Sequence, residues 1–172
     1  GISSETSGIR KQGSMAARNY YHAIRFVRFY QHLIRYGRTL WMMDLDAQFN
    51  RDANEMYEVI GDKDAAFRIR AGRIEPWNQI SAGVIGATGK PASIGYFRLI
   101  AAYIAHFHRQ GKLQWGIDQA AMYGAYMFLD DEGRAPEGAF RDTRVMDQEY
   151  LPEGSVWCTA GTKKYARPGT DR

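Results

Sequence analysis

Several absences narrow this sequence before any motif is read. There is one cysteine in 172 residues, Cys158, so no disulfide can close within the chain, and a reducing, cytoplasmic setting is the expectation. Cys158 also has no obvious base near it in sequence, which argues against a catalytic thiol. No apolar run approaches the roughly 20 residues that cross a bilayer. Gly1 to Ser14 is polar and rich in glycine and serine; it has no apolar core of the signal-peptide kind, and residues 1–15 read as a linker or disordered segment. The four histidines make no metal pair on one helix face: His22 and His32 are too far apart, and His106 and His108, two residues apart, point different ways. A formal net charge of +4, with no recognition helix, zinc finger or RNA platform, excludes nucleic acid as the expected partner. Internal repeats and low-complexity segments are absent.

What is present is ordinary globular material. Apolar residues make up 45% and charged residues 24%, enough for one domain with a core that needs no disulfide. The basic residues gather in two places, around Arg18, Arg25, Arg28, Arg35 and Arg38, and in a tail from Lys163 to Arg172. That balance suits an anionic ligand such as a nucleotide diphosphate. Arginines on an amphipathic helix are ordinarily solvated, although Arg25 or Arg28 could face a phosphate.

Periodicity predicts a helix over Ala16 to Tyr36, stopped by Gly37. A strand follows over Thr39 to Met43, then a short helix over Asp52 to Ile60 ended by Gly61. Ala65 to Arg70 and Ile80 to Ala87 read as strands. Pro91 opens a helix to about Gln110, and another runs from Gly116 to Phe128 with Asp118 in its first turn. Thr143 to Met146 and Ser155 to Cys158 are short strand candidates. Helices alternating with strands imply an α/β fold over residues 16–160, with residues 161–172 as a basic flexible tail.

The stretch Trp41-Met42-Met43-Asp44-Leu45-Asp46-Ala47 carries the sharpest signal. An apolar strand ending abruptly in two acids puts hard oxygen ligands at a sheet edge, where open α/β sheets bind their ligands. Such carboxylates suit Mg²⁺ or Mn²⁺, which in turn bind phosphate. A turn or helix cap accounts for many isolated Asp-x-Asp pairs. In a haloacid dehalogenase-type phosphatase the first acid is the nucleophile and the second the general acid, but this chain continues Ala47-Gln48 and offers no convincing later lysine or acidic pair. Asp44, Asp46, Gln48, Asn50, Asp52 and Glu55 fall at the ligand positions of a calcium-binding EF-hand loop, yet Phe49 stands where the loop's glycine belongs.

Two further segments join the acids in order: Ser81-Ala82-Gly83-Val84-Ile85-Gly86, and Trp115-Gly116-Ile117-Asp118-Gln119. Together, over roughly Tyr20 to Leu129, they resemble the nucleotide-sugar glycosyltransferases of the GT-A fold, with their metal-binding Asp-x-Asp, small-residue segment and helix-borne Asp-Gln. The resemblance implies a GT-A-like mixed sheet flanked by helices. It makes Asp46 the principal ligand of a Mn²⁺ or Mg²⁺ ion and Asp44 a contact to ribose or metal. Ala82 and Gly83 would let the backbone approach a nucleotide diphosphate sugar, and Lys163 would neutralise diphosphate. Asp118, with Gln119 beside it, would sit near the reacting carbon as the catalytic pair. Sugar transfer to an acceptor is the implied reaction.

The departures from that pattern are specific. No strands for a nucleotide base precede Tyr20, Ser81 replaces the usual asparagine, and no histidine follows His108. The expectation is therefore a GT-A-like domain that is either a fragment of an enzyme, with a missing N-terminal half or partner chain, or a reduced version whose base pocket is incomplete. The alternatives are a non-catalytic binding or structural module that keeps the fold, and the phosphatase.

Overall fold

The computed structural model describes residues 14–45, 47–49, 52–69, 74–75, 79–134, 136 and 157–159. Helix α1 (Ser14–Tyr36) buries Tyr20, Ala23, Phe26, Phe29 and Leu33, a three-and-four spacing that puts one stripe against the core. It ends at Gly37, whose φ of 58° is the left-handed conformation a side chain resists, and the Gly37 N–H closes the helix on the Leu33 carbonyl at 2.9 Å. There follow β1 (Leu40–Met43), β2 (Ala47–Phe49), α2 (Asn54–Ile60), β3 (Ala65–Ile69), β4 (Ile80–Ala87), α3 (Pro91–Arg109), α4 (Ile117–Asp131) and β5 (Trp157–Thr159).

The protein is thus a mixed α/β structure with a three-stranded sheet of order β1-β4-β3, and a separate pair of β2 with β5. All of these pairings are antiparallel, with Leu40 opposite Ala87, Met43 opposite Val84, and Ala47 opposite Thr159. The sequence reading expects a mixed sheet; among the described residues no parallel pair occurs. For β3 and β4 the reason is the connection, since residues 70–79 fall short of the dozen or more that a parallel crossover takes. Strand β4 lies in the middle and is buried at seven of its eight positions, which is why it reads as a continuous apolar run rather than an alternation.

Helix α3 brings Tyr96, Phe97, Ile100 and Ile104 to the core, and α4 brings Ala121, Met122 and Leu129. The Phe29 and Phe97 rings meet edge to face at 5.0 Å, joining α1 to α3. Tyr96 is fully buried, stacks on Phe67 at 5.6 Å, and donates its hydroxyl to the Met122 carbonyl at 2.9 Å. That burial, with Tyr126 nearby, raises the Tyr96 pKa well above its ordinary value. Trp41 of β1 lies across Gly86 of β4 so closely that a Cβ there would fall 2.8 Å from its ring.

The elements match the sequence reading to within about three residues at each end. Strand β2 was not expected. The Thr143 to Met146 candidate, residues 1–13 of the linker expected over 1–15, and the basic tail lie outside the described residues, while Ser14 and Met15 belong to α1. Among those described, no helix is long and apolar enough to cross a membrane.

Candidate functional site

Because β1 and β4 run antiparallel, the end of β1 comes to rest beside the first half of β4. The Asp44 N–H continues the ladder past the end of β1, donating to the Gly83 carbonyl at 2.8 Å. Its carboxylate then lies over Gly83, where a Cβ would stand 3.2 Å from Asp44 Oδ2. Glycine at this position keeps room for the acid. From the other side, α4 begins at Gly116, in the left-handed region at φ 79°, and buries Asp118 in its first turn at 4% exposure. Asp118 Oδ1 accepts the Gln119 N–H at 2.9 Å, a contact that suits an acid at a helix N-terminus.

Arg25 of α1 joins these parts. Its Nη1 donates to Asp44 Oδ1 in a direct ion pair. Its Nη2 donates to the Ala82 carbonyl at 3.0 Å and to Asp118 Oδ2 at 3.3 Å, and its Nε donates to the His22 carbonyl at 3.0 Å. The guanidinium carbon stands 5.3 Å from the Phe26 ring centroid. A planar fork of five N–H groups can serve acceptors in several directions at once, which a lysine ammonium cannot do in one plane.

Among the described residues, the Arg25 guanidinium bridges two carboxylates, Asp44 and Asp118. Solvent reaches it from the Asp44 side: the Asp44 side chain is 36% exposed, against 20% for Arg25 and 6% for Asp118. Hard carboxylate oxygen at a half-open position is the donor chemistry that Mg²⁺ or Mn²⁺ takes. Among the described residues no group of three or more His, Cys, Asp or Glu side chains is placed to hold a metal ion. Asp46, the acid expected to share such an ion with Asp44, lies outside them.

Of the residues singled out from sequence, Asp44, Ala82, Gly83, Asp118 and Gln119 come together, although three separate stretches of chain carry them. Asp46 and Lys163 lie outside the described residues. The residue that sequence reasoning undervalued is Arg25, weighed there as a solvated helix arginine. Local spacing gave no signal for it, since Arg28 falls between the buried Phe26 and Phe29 just as Arg25 falls between the buried Ala23 and Phe26; what differs is that Arg25 is half-buried and Arg28 exposed. Arg28, one turn on, behaves as expected and bonds to Gln31 at 2.9 Å on the surface. Of the histidines, His108 packs against Tyr20 at 5.3 Å and His106 bonds to Gln110 at 2.9 Å.

No protein-family model matches the chain, and no curated protein matches it significantly.

Proposed function

We propose that this chain carries the donor site of a metal-dependent glycosyltransferase, GT-A-like in fold, that moves a sugar from a nucleotide diphosphate sugar to an acceptor. One observation carries the reading: a single guanidinium ties Asp44, the Ala82 carbonyl and Asp118 together. The three segments that resemble the family's motifs in sequence are thus also neighbours in space, which chance matches would have no reason to be. Their meeting point is half-open on the Asp44 side.

Each residue then has a part. Asp44, with Asp46, would hold the divalent cation, and the cation when bound supplies Lewis-acid neutralisation of the departing diphosphate. Gly83, having no side chain, leaves room for the Asp44 carboxylate that lies over it. Arg25 is a positioning residue: it fixes Asp44 and Asp118 relative to one another and cancels part of their mutual repulsion. Asp118, held by Arg25 and by the Gln119 N–H, sets a buried negative charge where positive charge develops on a sugar ring losing its leaving group. The lone Cys158 suits a reducing compartment, and we place the protein in the cytoplasm.

The competing reading, a non-catalytic module, draws on the same ion pair, because Arg25 already satisfies part of the charge that a cation would meet. Calorimetric titration of UDP and GDP, each with and without Mn²⁺, separates the two. The enzyme reading expects binding that requires Mn²⁺ and disappears in Asp46→Asn, and sugar release from the matching donor that Asp118→Asn suppresses. Absence of nucleotide binding under every condition would leave the acids as strand-end residues of a binding or structural module.

A further inference from the structure

We infer that the open pocket where α3 turns into α4 is a saccharide-binding subsite, which on the glycosyltransferase reading seats a glycan acceptor. The cavity is about 430 Å³, within the range of small-molecule sites. Its walls are Tyr103 and Phe107 from the last turns of α3, Lys112, Gln114 and Trp115 from the connecting turn, and Ile117 from the start of α4. Trp115 is 62% exposed and Tyr103 42%. Rings of that size normally contribute their area to a core or an interface, so leaving two of them open around one hollow calls for an occupant.

The turn that presents them is fixed at several points. The Lys112 N–H donates to the Phe107 carbonyl at 2.9 Å and the Ile117 N–H to the Gln114 carbonyl at 3.3 Å. Asn19 of α1 donates its side-chain amide to the Leu113 carbonyl at 3.3 Å, while Leu113 packs against the core. Gly116 takes the left-handed conformation that turns the chain into α4. Trp115 is therefore held outward by a built turn, with its site pre-organised.

The chemistry of the wall selects the ligand class. A pyranose ring has an apolar C–H face and a rim of hydroxyls. Trp115, Tyr103 and Phe107 offer apolar ring surface for the first; the Gln114 amide, both donor and acceptor, and the Lys112 ammonium serve the second. A nucleoside diphosphate would set its several negative charges against Lys112 alone among these residues. A purely apolar partner would strand Gln114 and Lys112. Ile117 lines this pocket, and the next residue in the chain, Asp118, belongs to the acidic cluster. The term acceptor rests on the glycosyltransferase reading, whereas saccharide binding as such does not.

The test is ligand-observed saturation-transfer NMR on the full chain with lactose, maltotriose and N-acetylchitotriose, and with UDP and indole as contrasting probes. At least one saccharide is expected to receive saturation, with Trp115→Ala weakening it roughly three- to tenfold, the worth of one aromatic contact. Gln114→Ala, a smaller change at the same wall, is expected to weaken it too and decides the matter should Trp115→Ala fail to fold by circular dichroism. Saturation of none of the saccharides, affinity unchanged in both variants, or displacement of the saccharide by UDP would overturn the assignment. Saccharide binding without Mn²⁺-dependent nucleotide binding would sink the glycosyltransferase reading and leave the subsite standing; the reverse would sink the subsite alone.

Discussion

Replacing Arg25 by methionine keeps most of the packing along α1 and deletes the charge. Asp118 would then be left with a 6% exposed side chain and no counter-charge from Arg25. Breaking a buried pair by removing one partner costs about 3–5 kcal/mol; the low end applies because the Gln119 N–H stays on Asp118 Oδ1. At Asp44, 36% exposed, water takes over much of the lost contact and the loss is about 0.5–1 kcal/mol. The expected destabilisation is about 3–4 kcal/mol, a large share of the roughly 5–15 kcal/mol that holds a domain together. Asp118→Asn keeps the shape and removes the charge, and in its presence Arg25→Met should cost about 2 kcal/mol less than it does alone. Urea denaturation of the two single variants and the double variant, followed by circular dichroism, measures each value. A loss under about 1 kcal/mol for Arg25→Met, or strict additivity with Asp118→Asn, would refute the view that this guanidinium supports a buried acid.

Other expectations come from the core. Gly86→Ala pushes a methyl against the Trp41 ring, 2.8 Å away, and should cost about 1–3 kcal/mol in thermal or urea unfolding; Trp41→Leu in the same chain should recover part of it. Tyr96→Phe removes the hydrogen bond to the Met122 carbonyl at a cost of about 1 kcal/mol near neutral pH. Because burial raises the Tyr96 pKa in the folded chain, its contribution is fully present below the unfolded pKa of about 10 and is lost as the pH climbs through the folded value. The stability of Tyr96→Phe should therefore fall less steeply than that of the parent once the pH passes the unfolded pKa of about 10, in urea titrations run from pH 8 upward.

Legibility differed from one element to the next. The Ile80–Ala87 strand and the Pro91 helix start were readable because an apolar run bounded by Thr-Gly-Lys-Pro has few other outcomes. Strand β2 was not: three residues, Ala47 to Phe49, carry too little pattern, and their pairing with Trp157–Thr159 is a contact across more than a hundred residues. Sheet direction escaped for the same reason, since nothing local to Thr39–Met43 says which way its neighbour runs. At the candidate site, Asp44, Gly83 and Asp118 could be picked out as motif positions, because local spacing carries that signal. Arg25 could not be distinguished from Arg28 by charge or by local spacing; its contacts to Asp44, Ala82 and Asp118, all on distant segments, separate the two.

The Arg25 guanidinium reaches partners 19, 57 and 93 residues away along the chain. Contacts of that separation cannot form until the intervening loops have closed, and the entropy of closure must be met first. Any ligand held by the cluster is accordingly a reporter of completed folding: an intermediate with α1 formed and α4 still undocked would have every residue of the site and none of its affinity. Ligand added during refolding should then leave the early phases untouched and shift only the last, by drawing the finished chain out of the equilibrium.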